Sequence, residues 1–156
     1  MIILGIDPGT RRIGYGVVEY AHGMISFIDA GLLTIEAKND PHALRETKEQ
    51  VYKMLKKFKP STLSIEKLYF MKNQKTALQV AQARGVIISA AMEQGLLIQE
   101  FGPNEIKLGI TGYGHSDKKA VFKMVRLILN KPALDVIDDA SDALAVAILA
   151  CKRSID

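Results

Sequence analysis

Ile2-Ile3-Leu4-Gly5-Ile6-Asp7 is an apolar run closed by an acid, and Pro8-Gly9-Thr10 turns the chain directly behind it. A short run with no polar alternation is the pattern of a strand buried on both faces. From Ile13 to Tyr20, Ile13, Tyr15 and Val17 alternate with Gly14 and Gly16, the two-residue period of a second strand. Ala21-His22-Gly23 returns the chain into a third β-rich segment, Met24 to Ile35. Three consecutive strands with short turns predict an antiparallel meander.

Beyond this meander the period changes from two to between three and four. Asp40-Pro41 reads as an N-cap followed by proline at the first helical position. Leu44, Thr47, Val51, Met54, Leu55 and Phe58 then mark one face of a helix that stops before Pro60. Thr62 to Glu66 reads as a strand, again ending in an acid, and Thr76 to Glu93 as a helix stopped by Gly95. Leu96 to Phe101 is a fifth strand, Pro103 to Ile110 a short helix, and residues 112–116 a loop. Asp117 or Ser116 caps a helix through Leu129, and Asp139 to Lys152 is the last helix. This order of elements, three strands and then strands alternating with helices, predicts an α/β chain. Its five-stranded mixed sheet has three antiparallel strands, then parallel strands reached by helical crossovers, with helices on both faces. This is the layout of the ribonuclease H-like fold.

The chain of 156 residues, 48% apolar and 24% charged, suits a single globular domain over 1–156, with no linker or repeat to divide it. One cysteine, Cys151, excludes an intramolecular disulfide and a cysteine-built zinc site, and a reducing cytoplasmic setting is expected. Neither a basic leader nor an apolar run of membrane-spanning length is present in the sequence, so no signal peptide or membrane association is expected. A net charge of +4 permits a polyanionic partner without requiring one.

The chemical signal lies in four acids. Asp7 and Glu66 each close an apolar strand, and if both strands are central and parallel their ends meet at one sheet edge, where open α/β sheets place their sites. Asp139 and Asp142, spaced i, i+3, share one face at the start of the last helix. Asp138 competes for the same register and is the better N-cap, which leaves Asp139 as the ligand. Taken singly, such acids are more often caps or turn formers. Taken together, four half-buried carboxylates repel one another unless a cation joins them. Oxygen-only donors suit Mg²⁺ or, as a substitute, Mn²⁺, and two ions about 4 Å apart are the machinery of phosphodiester hydrolysis.

Lys72, Lys75, Arg84, Lys107, Lys118, Lys119 and Lys123 fall near loops that would flank these acids. A run of charge is usually a solvated face, but an acidic site that binds a polyanion needs a basic rim. Of the 16 residues from Ala77 to Met92, 11 are apolar, more than one buried stripe requires, so a partner chain against this helix is expected beside the alternative of burial by its own chain. Of the adjacent rings Tyr69 and Phe70, at most one is expected to be free.

The chain resembles the RuvC family of Holliday junction resolvases. The resemblance rests on Gly5-Ile6-Asp7-Pro8-Gly9-Thr10 with Gly14-Tyr15-Gly16, on Ile65-Glu66 and Asn73, and on Ala81-Gln82-Ala83-Arg84-Gly85. It closes on Asp139-Ala140-Ser141-Asp142-Ala143-Leu144-Ala145. The first motif alone is weak; the last two, in this order in so short a chain, are specific. The resemblance implies a homodimeric endonuclease that nicks a four-way DNA junction symmetrically, leaving 5′-phosphate and 3′-hydroxyl ends. The family's four catalytic acids fall on Asp7, Glu66, Asp139 and Asp142. It also implies phosphate contacts at Lys107 and Lys118, a ring from Tyr69 or Phe70 against unstacked bases, and work alongside the RuvA and RuvB branch-migration proteins.

Three rival readings fit the residues less well. An actin-like nucleotide-binding protein needs a second phosphate loop, which this short chain lacks. A non-catalytic junction-binding scaffold would not need four acids. A YqgF-like nuclease acting on RNA would share the opening motif but not Ala81-Gln82-Ala83-Arg84-Gly85.

Overall fold

A computed structural model of the chain describes residues 1–69 and 74–153, with only the backbone of Gln74 and Lys75. Its elements are β1 (Ile2–Asp7), β2 (Arg12–Ala21), β3 (Met24–Thr34), α1 (Asp40–Phe58), β4 (Thr62–Glu66), α2 (Gln74–Glu93), β5 (Leu97–Phe101), α3 (Pro103–Thr111), α4 (Lys118–Ile128) and α5 (Asp138–Arg153). The strands form one sheet in the order β3-β2-β1-β4-β5. The β1–β2 and β2–β3 pairs are antiparallel, whereas β1–β4 and β4–β5 are parallel. This is the mixed sheet expected from the periodicities.

Side-chain alternation along the strands divides the core into two layers. Leu4, Ile6, Ile13, Val17, Leu63 and Ile65 face α1 and α2, with Val51 and Ile87 packed among them. Ile3, Val18 and Phe101 face the other way, onto α3, α4 and α5. Gly5 and Gly14 belong to this second face, and there the helix lies directly on the sheet. A Cβ at Gly5 would stand 2.1 Å from the Ala143 carbonyl oxygen, and one at Gly14 would stand 2.0 Å from that of Asp139. Only glycine admits so close an approach. On the neighbouring strand, the buried Ser64 hydroxyl donates to the Val146 carbonyl at 2.9 Å and fastens α5 to β4.

Two helix starts differ from the sequence expectation. Asn39, not Asp40, caps α1: its side chain accepts from the His42 N–H at 3.0 Å, while Asp40 sits inside the first turn and pairs with Arg11 at 3.0 Å. The extended backbone of Asn39 (φ −104°, ψ 155°) supplies the cap geometry, and Pro41 is the second helical residue. Asp138 is likewise no cap. It is the first residue of α5, and the Ile137 carbonyl accepts the first intrahelical bond, from the Ser141 N–H at 3.0 Å. Asp117 does cap α4, accepting from the Ala120 N–H at 2.7 Å.

Candidate active site

Asp7 and Glu66 are the terminal residues of adjacent parallel strands: Ile6 lies opposite Ile65, and the two acids follow. Asp7 is two residues beyond Gly5, and Glu66 two beyond Ser64, so both side chains project to the α5 face. The close approach at Gly14 holds the first turn of α5 over β2, where Gly14 is the partner of Asp7. Four acids from three segments distant in sequence thus share one edge of the sheet.

Their electrostatics record this proximity. Asp7 is pushed from an ordinary 3.8 to about 7, first by burial and then by the charges of Glu66, Asp142 and Asp139. Burial also raises Glu66, with Asp142 adding to the rise and Lys118 and Lys107 opposing it. Asp142 is raised by burial against the pull of Lys118. The Lys118 ammonium donates to Asp142 at 2.7 Å and to Asp138 at 3.2 Å, and its own pKa rises, chiefly through the bond to Asp142. Arg12 pairs with Asp139 at 3.4 Å. Each member of the helix pair therefore meets a side-chain cation, and as the acids stand, no three metal-binding side chains among the described residues form a cage. The donor chemistry nonetheless fits a hard divalent cation: all donors are carboxylate oxygens, and burial together with neighbouring carboxylates raises the pKa of Asp7, Glu66 and Asp142.

The other predicted positions that the structure describes lie around this edge. A cavity of about 590 Å³ opens beside Asp7 and Glu66 and is bordered by Tyr69, Val80, Pro103 and Lys107. Tyr69, one of its lining residues, is 55% exposed. Lys118 and Lys119 are exposed in the first turn of α4. Phe70 and Lys72 lie outside the described residues, as does the side chain of Lys75. Arg84, grouped by sequence with the rim cations, is instead an inward tie: its Nε donates to the main-chain carbonyl of Glu66 at 3.0 Å, its guanidinium pairs with Glu100, and its side chain is only 18% exposed. Arg12 was absent from the sequence reading. Its position next to Arg11, just past the turn that follows Asp7, was the available signal.

The family model for "Crossover junction endodeoxyribonuclease RuvC" matches residues 3–150. A curated protein of that name from Thermosipho melanesiensis is 46% identical over 148 residues, covering 94% of each chain. The solved Thermus thermophilus RuvC is 27% identical, with a TM-score of 0.88 over 99% of this chain and 96% of that one. A second structure, T. thermophilus RuvC in complex with Holliday junction substrate, has a TM-score of 0.90 at the same identity and coverage. The ribonuclease H-like fold, the chain-long family match and the acids gathered at one sheet edge agree: this chain belongs to the RuvC family of crossover junction endodeoxyribonucleases.

Proposed function

We propose that this chain is a divalent-metal-dependent endonuclease that resolves four-way DNA junctions by paired symmetric nicks. The observation that carries the reading is the meeting of Asp7 and Glu66, from adjacent strand ends, with Asp139 and Asp142, from one helix face, in a protein of the RuvC family. These four carboxylates are the ligands proposed for Mg²⁺, two ions per site, with Mn²⁺ as a substitute. When bound, such ions lower the pKa of water and stabilise the leaving oxygen in an in-line displacement. The half-buried setting of Asp7, Glu66 and Asp142 excludes part of the bulk water and strengthens each charge interaction at the site. The expected products carry 5′-phosphate and 3′-hydroxyl ends.

Around the acids, Lys107 and Lys119 offer cations to backbone phosphates, and Lys118, held on Asp142 and Asp138, reaches a phosphate only by leaving them. The exposed side chain of Tyr69, which lines the cavity beside Glu66, offers a stacking surface to an unpaired base. On α2, Leu78, Gln82, Gly85, Ser89 and Met92 are exposed at alternating spacings of four and three, one continuous stripe on the side away from the core. This stripe supports a homodimer in which two sites related by a two-fold axis address the two-fold symmetric junction. Cooperation with RuvA and RuvB and a cytoplasmic setting complete the reading; among the described residues no helix is long and apolar enough to cross a membrane. The reading is tested by comparing a synthetic four-way DNA junction, a linear duplex and a structured RNA in Mg²⁺. Symmetric nicking of the junction alone is expected, and preferential cleavage of the RNA would overturn it.

A further inference from the structure

The peptide group between Glu66 and Lys67 is tied at both ends. Its N–H, that of Lys67, donates to the Phe101 carbonyl at 2.8 Å, and its carbonyl, that of Glu66, accepts from Arg84 Nε at 3.0 Å. The Arg84 guanidinium is itself anchored on Glu100, the residue before Phe101, so one short segment of β5 braces both ties. Arg84 reaches Glu66 from α2, on the sheet face opposite α5, while the Glu66 side chain projects toward the α5 face. A charged fork with 18% of its side chain exposed is an expensive way to satisfy one strand-end carbonyl, because its desolvation must be offset. It does, however, fix the plane of the peptide that carries Glu66, as the geometry of a site held within about half an ångström requires.

We infer that Arg84 is a positioning residue: with Glu100 it sets the main chain at Glu66, and so the aim of that carboxylate toward Asp7 and Asp142, rather than contacting DNA. The inference rests on the site reading given above. Arg84 also borders a cavity of about 350 Å³ with Lys67 and Tyr69, which makes a phosphate contact the rival role.

The test uses the full chain and the variants Arg84→Met, Arg84→Lys and Glu100→Gln, with Asp7→Asn as reference. It reads single-turnover nicking at saturating four-way junction, junction affinity over a salt series, and Mn²⁺ binding by electron paramagnetic resonance without DNA. Arg84→Met is expected to slow nicking by about 10²-fold, the scale of a 1 Å misplacement, and to weaken Mn²⁺ binding, with junction affinity and its salt slope unchanged. Arg84→Lys, which keeps the charge but not the fork, and Glu100→Gln, which removes the charge that anchors the guanidinium, are expected to show smaller losses of the same two kinds. They carry the test if Arg84→Met does not fold. A wild-type nicking rate and wild-type Mn²⁺ binding in all three would overturn the inference. So would a salt slope flattened by about 0.9, the signature of one lost phosphate contact, with the saturated rate retained. If Asp7→Asn nicks like wild type, the site reading fails and this inference falls with it; if Asp7→Asn is inactive while the Arg84 variants are normal, only this inference fails.

Discussion

Gly14 and Asp139 meet backbone to backbone: a Cβ on Gly14 would stand 2.0 Å from the Asp139 carbonyl oxygen. The contact lets α5 sit low enough on the sheet for its acids to join those of β1 and β4. Gly14→Ala should therefore displace the start of α5, costing about 1–3 kcal/mol of stability and more than tenfold in nicking. Urea denaturation and a junction-nicking assay check both. A stable Gly14→Ala protein with full activity would show that α5 does not need this approach.

The raised pKa of Asp7 carries a stability cost whose sign is fixed. The unfolded chain releases this proton near 3.8 and the folded chain near 7, so between those values the folded state binds the extra proton. Without divalent metal, stability should then fall as pH rises from about 4 to about 7, by up to about 4 kcal/mol from this group at 1.36 kcal/mol per pH unit. Asp7→Asn should remove that part of the fall, and Mg²⁺ should restore stability to wild type above pH 7 more than to the variant. Urea titrations of both proteins at pH 4 to 8, with chelator and with Mg²⁺, measure the difference. Parallel curves for the two proteins would contradict the assignment of Asp7 to a crowded acidic cluster.

Most of this arrangement was legible in the sequence because it follows from periodicity. The run from Ile2 to Asp7, the Gly-alternating strand after it and the acid-ended run from Thr62 to Glu66 require no tertiary information, and the β-β-β-α-β order then sets Asp7 beside Glu66. Helix caps were less legible, since Asn39 against Asp40, or Ile137 against Asp138, is decided by backbone angles that neighbouring polar residues do not reveal. Arg84 was expected on the DNA-facing rim. Its charge suggested a rim, and only the packing of α2 over β4 and β5 turns it onto the Glu66 carbonyl.

Docking and stacking should separate by salt. Lys107→Ala and Lys119→Ala should each flatten the log–log salt dependence of junction binding by about 0.9. Tyr69→Ala should cost roughly 1–3 kcal/mol of binding and leave the slope unchanged, and its nicking defect should shrink on a junction with unpaired bases at the crossover. Unchanged slopes for both lysines would remove them from the interface.

The exposed stripe on α2 predicts that Leu78→Glu with Met92→Glu yields a folded monomer that binds the junction weakly and does not make coordinated paired nicks. Leu78 and Met92 are 66% and 63% exposed, so the charges cost the monomer's core little. Sedimentation equilibrium decides: a single 17.2 kDa species for the wild-type chain at micromolar concentration, with and without junction, would exclude the dimer.

The most direct measurement is nicking of a four-way DNA junction in Mg²⁺ by the wild-type chain and by Asp7→Asn, at protein concentrations where both bind. The account predicts paired symmetric nicks by the wild type and a loss of several orders of magnitude in Asp7→Asn with junction affinity retained. Asp7→Asn nicking at more than a small fraction of the wild-type rate would contradict it.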